Sequence, residues 1–507
     1  MAAAFPLLIG VDLGTTAVKG AAFQADGRIV ASSARAYPTH RPGPGAVEQR
    51  GEDWCDAVRA VLGELAGAVD AAEVAVVGLT SQANTHLPVD AAGEPLAPAL
   101  VWQDVRAAPD AAALDAGIGA EERTAWWGAP LPIDASHALA RMARARRANP
   151  ALWARTAHVL LPKDHVLREM TGELATDALS NVGFVGADGS FPEALLARVP
   201  GAAGRLPPLA PPDSILGRVR AGWPFAGAPV AVGTMDAWAG MLGCGVADDA
   251  EAVYLGGTSE ILGIVSPDAV PTFGVLVMPE SLGIRLHVGP TQSGGASLAW
   301  CARLLGTTPT EAAALAASHD PDAPTPLFLP HLDGERAPLW DAESRGTFVG
   351  LAAGTDRAAL AYSVLEGVAL SAAWLFEALR ASSDRRPEVV RAGGGGFRDA
   401  AWNRLRADAL GTPVERAAPP DPGTLGAALL GAVAIGRHGS VGEARDALAR
   451  TDRRWEPTPG GVARLAERAA LQREAYAATR PINARLAAAA ATGVGPVGDA
   501  GGDPGAA

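Results

Sequence analysis

The stretch from Leu7 to Lys19, with the sequence LLIGVDLGTTAVK, constrains the fold of this chain more than any other segment. Its apolar residues predict a buried strand, and Asp12 ends that strand beside a tight Gly-Thr-Thr turn. A carboxylate in this position can hold a hydrated cation, while the amides and hydroxyls of the turn can bind phosphate oxygens. Gly14 lets a phosphate approach the backbone because glycine has no Cβ. An ordinary β-hairpin with polar turn residues also fits this pattern.

The same order of strand, Gly-Thr turn and returning strand occurs a second time in the chain. The apolar run from Ala252 to Leu255 predicts a strand that ends at Gly256-Gly257-Thr258-Ser259, and the run from Ile261 to Val265 returns. A repeat of this kind indicates internal duplication. We therefore expect two related halves, with a boundary near residue 245.

The segments that follow the first turn predict an α/β architecture. Residues Asp53 to Val69 carry apolar residues at helical spacing, and Val74 to Leu79 form the continuous apolar run of a buried parallel strand. Strands followed by a helix and another buried strand indicate layers of sheet and helix. A chain of 507 residues, 49% of them hydrophobic, is too long for one core and is expected to form two or more domains.

Charge and cysteine content exclude several classes of function. The net charge of −13 argues against a nucleic-acid partner, because nucleic-acid binding depends on clustered Lys and Arg. The three cysteines show no CxxC pattern, which gives no zinc site and suits a reducing cytosol. The first residues lack the features of a signal peptide, and no uncharged apolar stretch is long enough to span a bilayer. We expect a cytoplasmic protein that binds neither nucleic acid nor membrane.

Two polar clusters in the first half are candidate ligand sites. Ser81 to His86, with the sequence SQANTH, follow the buried strand, and ligands of α/β sheets bind at the carboxyl ends of strands. Trp102 to Arg106, with the sequence WQDVR, combine an aromatic face with a carboxylate and a guanidinium, which suits a polyol. A half-buried Trp beside a surface salt bridge also fits the second cluster.

Asp236 lies where the predicted strand from Pro229 to Gly233 passes into a predicted helix. Its carboxylate would lie beside the first amides of that helix, so this segment alone favours a simple N-cap. Ser293-Gly294-Gly295 and Gly393 to Gly396 also precede predicted helices. Such glycine-rich turns leave room for a flat ligand or a phosphate against the backbone.

The order of these motifs resembles that of the FGGY carbohydrate kinases, and within them the xylulokinase-like branch. The resemblance covers residues 7 to 440, which is most of the chain. The matching segments are DLGTTAVK (12–19), LPKDHVLREMTGELATD (161–177), GTMDAWAGMLGCG (233–245), GGTSE (256–260), HLDGERAPLWD (331–341), RGTFVGL (345–351), GGGFRDAAWNRLRADALGTPV (394–414) and PGTLGAALL (422–430).

The resemblance implies an α/β fold of two ribonuclease H-like domains of the actin/hexokinase/Hsp70 superfamily, with the active site in the cleft between them. Residues 1–245 would form the sugar-binding domain and residues 246–487 the nucleotide-binding domain. Residues 488–507 are rich in Ala and Gly without apolar periodicity, and we expect a disordered tail there. The implied activity is ATP-dependent transfer of a phosphoryl group to a hydroxyl of a ketose or polyol, with ATP and Mg²⁺ as cofactors. A homodimer is a family-level expectation.

The resemblance also assigns roles to individual residues. Asp236 would be the general base, and Asp12 and Asp236 would hold the magnesium ion. The residues implied to bind the sugar are Gln82, Asn84, Trp102, Asp104, Asp134 and Asp236. The residues implied to bind the nucleotide are Gly14, Thr15, Thr16, Gly257, Thr258, Gly295, Gly394, Gly395 and Asp399.

The chain departs from the family pattern at the sugar site. Xylulokinases usually carry Gln-Met-His where this chain has Gln82-Ala83-Asn84, and the Arg-Glu pair of glycerol kinases is missing there. D-Xylulose is the expected substrate by overall resemblance. Other pentuloses, tetritols and sugar acids stay open, as does a non-catalytic sugar or nucleotide sensor on the same scaffold.

Overall fold

The computed structural model describes residues 6–127, 131–181 and 183–491. The strands, numbered in chain order, are β1 Leu7–Leu13, β2 Ala17–Phe23, β3 Ile29–Ala36, β4 Glu48–Gln49, β5 Val74–Ser81, β6 Leu87–Val89, β7 Ala99–Leu100, β8 His158–Leu160, β9 Ile215–Arg218, β10 Pro229–Ala231, β11 Ala252–Gly256, β12 Glu260–Val265, β13 Leu276–Val277, β14 Leu286–Pro290, β15 Leu327–Leu329, β16 Thr347–Val349, β17 Val390–Gly393, β18 Val414–Ala417 and β19 Thr451–Trp455.

Helices connect and cover these strands. They are α1 Gly51–Ala68, α2 Ala108–Ala116, α3 Ala120–Trp127, α4 Ala138–Ala148, α5 Pro150–Arg155, α6 Pro162–Thr171, α7 Glu193–Leu196, α8 Asp236–Gly243, α9 Gly295–Leu305, α10 Pro309–Ser318, α11 Arg357–Ser383, α12 Ala400–Leu410, α13 Pro422–Ala434, α14 Val441–Leu448 and α15 Pro459–Ala491.

Two large mixed sheets repeat one topology. The first has the order β3-β2-β1-β5-β10-β9, and the second has the order β13-β14-β12-β11-β17-β18-β19. In each, an antiparallel meander (β1 to β3, or β11, β12 and β14) is followed by two strands that run parallel to its first strand. The predicted duplication is therefore a property of the fold. The predicted buried strand after α1 is β5, which pairs in parallel with β1.

The two sheets share one apolar core, which α8 and α13 fill from between them. Residues of both sheets and both helices form this core, among them Leu8, Met241, Val253 and Leu429. Helix α13 packs on β1 and β5 of the first sheet although it belongs to the second half of the chain, and α8 contacts β11 of the second sheet. Helices α1 and α6 pack on the first sheet, and α11 and α12 on the second.

Glycines allow α8 and α13 to touch backbone to backbone. A Cβ on Gly426 would lie 1.8 Å from the carbonyl oxygen of Ala239, and a Cβ on Gly243 would lie 1.8 Å from that of Pro422. Gly10 and Gly78 likewise let the first sheet touch the backbone of α13. A Cβ on Gly10 would lie 1.8 Å from a carbonyl oxygen of that helix, and a Cβ on Gly78 would lie 1.9 Å from another. No L side chain fits at such distances, so these four positions require glycine.

Several expectations about local structure differ from what the structure shows. The several arginines between Asp134 and Arg147 predict a helix with a solvated face. The helix begins at Ala138 instead, and Arg141 is buried, because its guanidinium donates to the carbonyls of Asn84, Leu100 and Val101. The sequence from Leu87 to Gly93 predicts a hairpin, and Val89 does bridge Pro95 across this turn, while β6 pairs with β8 as well. Helix α15 continues to Ala491, past the expected start of the tail, and residues 492–507 lie outside the described residues.

Helix α11 is the one described helix long and apolar enough to cross a membrane by length and composition. The sequence led us to expect no such segment. Most of the helix is buried in the fold, between the second sheet and helices α9, α10 and α12. A helix in the core of a protein has the same length and composition as a spanning helix, so these properties carry little weight for a membrane location.

The helix contact predicts that Gly426→Ala destabilises the protein strongly. The new Cβ would meet backbone that cannot rotate away, so α8 and α13 must separate, at a cost of about 3 kcal/mol or more. We expect the midpoint of thermal unfolding to fall by about 6 °C or more. The matched control is Gly460→Ala in α15, where a Cβ meets nothing within 4 Å. Equal midpoints for the two variants would contradict the backbone contact.

Candidate active site

The first Gly-Thr turn is held from behind and leaves its amides free. Gln49 Nε2 donates to the carbonyl oxygen of Thr15 at 2.7 Å, and Trp102 Nε1 donates to Thr15 Oγ1 at 3.0 Å. Within the described residues, the amides of residues 14–16 make no hydrogen bond. Three adjacent amides on a fixed turn are suited to bind an anion.

The second Gly-Thr turn is held by the start of α9. The amide of Gly295 donates to the Gly257 carbonyl at 3.0 Å, and the amide of Ala296 donates to the Thr258 carbonyl at 3.0 Å. Gly257 and Thr258 are exposed. Gly295 therefore supports the turn through its backbone, and the turn itself faces solvent.

The glycine run before α12 lies against the same edge of the second sheet. Gly394 has a φ of +91°, and a Cβ there would lie 2.5 Å from the Gly256 carbonyl oxygen. Gly395 has open space around it instead. Asp399 caps α12, with its Oδ1 accepting from the Trp402 amide at 2.8 Å. This part of the chain thus offers an open backbone surface next to the second turn.

Four charged side chains meet where α8 and α13 begin. Lys19 Nζ forms an ion pair with Asp421, the residue that precedes α13. The carboxylates of Asp12 and Asp236 lie close enough to Asp421 for its negative charge to repel them. Asp236 is the first residue of α8, and its Oδ1 accepts from the Ala237 amide at 2.7 Å.

Burial and mutual repulsion keep these carboxyls less acidic than usual. Burial raises the pKa of Asp236 to about 6; Asp421 adds to the rise, while the Ala237 amide and Lys19 oppose it. Burial, followed by the charges of Asp421 and Asp236, raises the pKa of Asp12 well above its ordinary value. A carboxyl with a raised pKa accepts a proton readily, as a general base must.

The carboxylates fit a magnesium ion that keeps most of its water. Asp12 Oδ1 is buried and has no hydrogen-bond partner among the described residues, so a ligand at this oxygen would satisfy it. Among all the residues that the structure describes, no group of three or more His, Cys, Asp or Glu side chains is arranged to ligate a metal directly. Mg²⁺ typically binds one or two carboxylates and retains several waters, so Asp12 and Asp236 suit it.

The polar residues after β5 differ in how much of their side chain is free. The Gln82 amide is buried and used within the first half, donating to Gln49 Oε1 at 2.8 Å and accepting from Thr85 Oγ1 at 3.2 Å. Asn84 adopts a left-handed backbone with φ of +50°, and its side-chain amide makes no hydrogen bond to the described residues. Asn84 can therefore bind a ligand without losing an existing contact.

The side chains of the second polar cluster, residues 102–106, and of Asp134 also differ in whether they are free to bind a ligand. Asp104 is buried, accepts from the Val47 amide at 2.8 Å and pairs with Arg106 at 2.7 Å. Burial alone would raise the pKa of Asp104, but the hydrogen bonds from Arg106 and Val47 lower it below its ordinary value. Trp102 is half-buried, and Asp134 is exposed with Oδ1 accepting from Ser136 Oγ at 2.7 Å. Trp102 and Asp134 remain accessible, whereas Asp104 has its partners already.

Several functional candidates escaped the sequence analysis because their partners are distant in the chain. Lys19 and Asp421 are 402 positions apart but pair in the fold. Arg336 lies over the Trp102 ring, with its Cζ 5.2 Å from the ring centroid. Asp421 precedes a Pro-Gly pair at the start of a small-residue helix, a cap signal that could have drawn attention to it.

A buried ion pair in each half supports the strand ends. Lys163 Nζ lies 3.0 Å from Asp177 Oδ1, and Asp177 Oδ2 accepts from Thr234 Oγ1 at 2.8 Å, two residues before Asp236. In the second half, Arg406 donates to Glu260 Oε1 at 2.5 Å and to the Gly396 carbonyl at 2.7 Å. The Arg406 pair therefore joins the second turn to the glycine run.

Known proteins match both halves of this chain in sequence. Family models described as the FGGY family of carbohydrate kinases match residues 7–243 with their N-terminal domain and residues 252–435 with their C-terminal domain. The xylulose kinase of Escherichia coli (strain K12) is 30% identical over 446 residues, which are 84% of this chain and 90% of that protein. The glycerol kinase of Gloeobacter violaceus is 31% identical over 462 residues, which are 86% of this chain and 90% of that protein.

A solved structure of a similar protein confirms the predicted fold. The ligand-bound xylulose kinase from Lactobacillus acidophilus superposes with a TM-score of 0.86 at 23% identity, covering 95% of this chain and 99% of that one. At this identity the match concerns the fold alone. The expectation of a two-domain actin/hexokinase-like α/β fold is confirmed.

The ion pair behind the second turn predicts a large loss of stability in Arg406→Met. The variant removes the counter-charge of the buried Glu260 carboxylate, which keeps its hydrogen bond from the Tyr254 hydroxyl, and such a loss costs about 3–5 kcal/mol. Adding Glu260→Gln removes the unpaired charge and should recover part of the loss in thermal unfolding. Arg404→Met, an exposed residue of the same helix, is the control and should change the midpoint little. A double variant no more stable than Arg406→Met would contradict this reading.

Proposed function

The chain belongs to the FGGY family of carbohydrate kinases, phosphotransferases with an alcohol group as acceptor, and we propose that it transfers the γ-phosphoryl group of ATP to a hydroxyl of D-xylulose. Relatives named xylulose kinase support the ketose. Relatives named glycerol kinase lie at comparable identity, so related polyols are the competing substrates.

The observation that carries the proposal is the position of Asp236. Its carboxylate lies at the start of α8, among Asp12, Asp421 and Lys19, and has a raised pKa of about 6. Phosphoryl transfer needs positioning and charge neutralisation more than covalent chemistry, together with a group that takes the proton of the attacking hydroxyl. Asp236 takes that role: it orients the hydroxyl and accepts its proton as the oxygen attacks.

The two turns hold the phosphates. The free amides of residues 14–16 and the exposed Thr258 donate to phosphate oxygens, and the open backbone at Gly395, next to Gly394 packed on Gly256, receives the rest of the nucleotide. When bound to Asp12 and Asp236, Mg²⁺ supplies positive charge beside the β- and γ-phosphates. Lys19 adds a protein cation in the same place and balances Asp421.

Some residues of the proposed sugar site are free to bind the sugar, and others hold those residues in place. Trp102, Asn84 and Asp134 have surface available for a polyol, and we propose that they bind it directly. Gln82 and Asp104 keep the strand ends and the Trp102 segment in place through contacts they already make. Asp399 supports the nucleotide site as the cap of α12.

The remaining proposals concern organisation. We propose that residues 1–245 form the sugar-binding domain and residues 246–487 the nucleotide-binding domain, with one large sheet in each. A cytoplasmic location and a homodimer stay predictions.

The test of the proposed function is a coupled ADP-release screen. Purified protein with ATP and Mg²⁺ is offered D-xylulose, other pentuloses, alditols, tetritols, glycerol and sugar acids. The largest kcat/KM should fall on D-xylulose. A larger value for another acceptor would replace D-xylulose with that acceptor, and a flat response to every compound would overturn the kinase proposal in favour of a sensor.

Asp236→Asn should abolish most of the activity without changing the fold. The amide has the shape of the carboxylate but cannot take a proton, and loss of a general base costs about 10²–10⁴ in kcat. Thermal unfolding, and ATP binding measured by calorimetry without Mg²⁺, should stay close to wild type. Asp213→Asn is the control, because the Asp213 side chain makes no hydrogen bond or ion pair to the described residues. Near-wild-type turnover by Asp236→Asn would show that another group acts as the base.

A further inference from the structure

Arg336 is a half-buried cation in the second half of the chain. Its side chain reaches the proposed sugar-binding residues of the first half. Its guanidinium carbon lies 5.2 Å from the centroid of the Trp102 ring. Trp102 in turn donates to Thr15 Oγ1, so Arg336 lies within two contacts of the first turn. A residue in this place can touch a ligand that packs beside Trp102.

The backbone of Arg336 is fixed by its neighbour Glu335. The buried Glu335 carboxylate accepts from Ser293 Oγ at 2.8 Å and from the Gln292 amide at 2.5 Å. Ser293 directly precedes the glycines that pack on the second turn. The position of Arg336 is therefore set by the nucleotide side of the cleft, while its side chain extends to the sugar side.

The Arg336 guanidinium has donors to spare. Among the described residues it makes no hydrogen bond and no ion pair, although a guanidinium carries five N–H donors. The negative charges of Asp134 and Glu335 act on it.

We propose that Arg336 and Asp134 form a subsite beside Trp102 that binds neighbouring hydroxyls of the acceptor. This inference rests on the proposed kinase function and narrows its substrate class. A hydroxyl accepts from the guanidinium and donates to the carboxylate, so a neutral polyol satisfies both charges. A carboxylate in the same place would pair with Arg336 but would be repelled by Asp134. The subsite therefore selects neutral sugars over the corresponding acids.

The experiment compares D-xylulose with D-xylonate on the full-length enzyme, by calorimetric binding and by steady-state kinetics with ATP. Arg336→Met should raise the KM and Kd for D-xylulose tenfold or more, with the KM for ATP within twofold of wild type. Arg336→Lys keeps the charge but not the fork of donors and should recover part of the affinity. Asp134→Asn should bring the affinities for D-xylonate and D-xylulose closer together. Arg303→Met, an exposed residue of α9, is the matched control.

The outcomes separate this inference from the proposed function. If the wild type phosphorylates D-xylulose and Arg336→Met keeps its KM, the subsite is wrong and the kinase function stands. An Asp134→Asn variant with unchanged discrimination would also overturn the subsite. A wild type that neither binds nor phosphorylates a neutral sugar in the screen would overturn both. Thermal unfolding of each variant shows whether a change in KM comes from the site or from loss of the fold.

Discussion

The contact on which the site depends is the crossing of α8 and α13 without side chains between them. Gly243 at the end of α8 lies against Pro422 at the start of α13, and Gly426 lies against Ala239, so the two backbones are in contact along the crossing. Asp236 opens α8 and Asp421 precedes α13, and the charges of both act on Asp12 at the end of β1. The pKa of Asp236 is raised chiefly by its burial in this packed region, and the charge of Asp421 adds to the rise.

Support for the site is divided between the two halves in a parallel way. In the first, Lys163 and Asp177 hold the Thr234 side chain just before Asp236; in the second, Arg406 and Glu260 hold the second turn to the glycine run. A buried ion pair adds little net stability compared with an apolar core, but it fixes direction because each oxygen and nitrogen has a defined partner. Such pairs suit the places where two turns must keep a constant separation.

Much of this arrangement could be predicted from sequence, and the reason is locality. The strand and turn at residues 7–19, their repeat after residue 252 and the glycine run before α12 are patterns within a few residues, and resemblance to a family connects them. The partners of Lys19, Arg336 and Glu260 come from long-range packing that no short pattern encodes. Arg141 was expected on a solvated face because helical spacing does not reveal that its guanidinium binds three strand-end carbonyls. Asp104 resembled a ligand-binding residue because its partner Val47, a backbone amide, leaves no trace in the sequence.

The position of α13 has a consequence for how the protein is made. The first sheet is complete in sequence at β10, but one of its faces is covered by a helix that ends at Ala434. At ribosomal rates of about 5–20 residues per second, that apolar face waits roughly ten to forty seconds for its cover. During this interval the nascent first half exposes β1 and β5 to other chains. The two halves are therefore one unit of folding, and the cell must protect the first until the second has been synthesised.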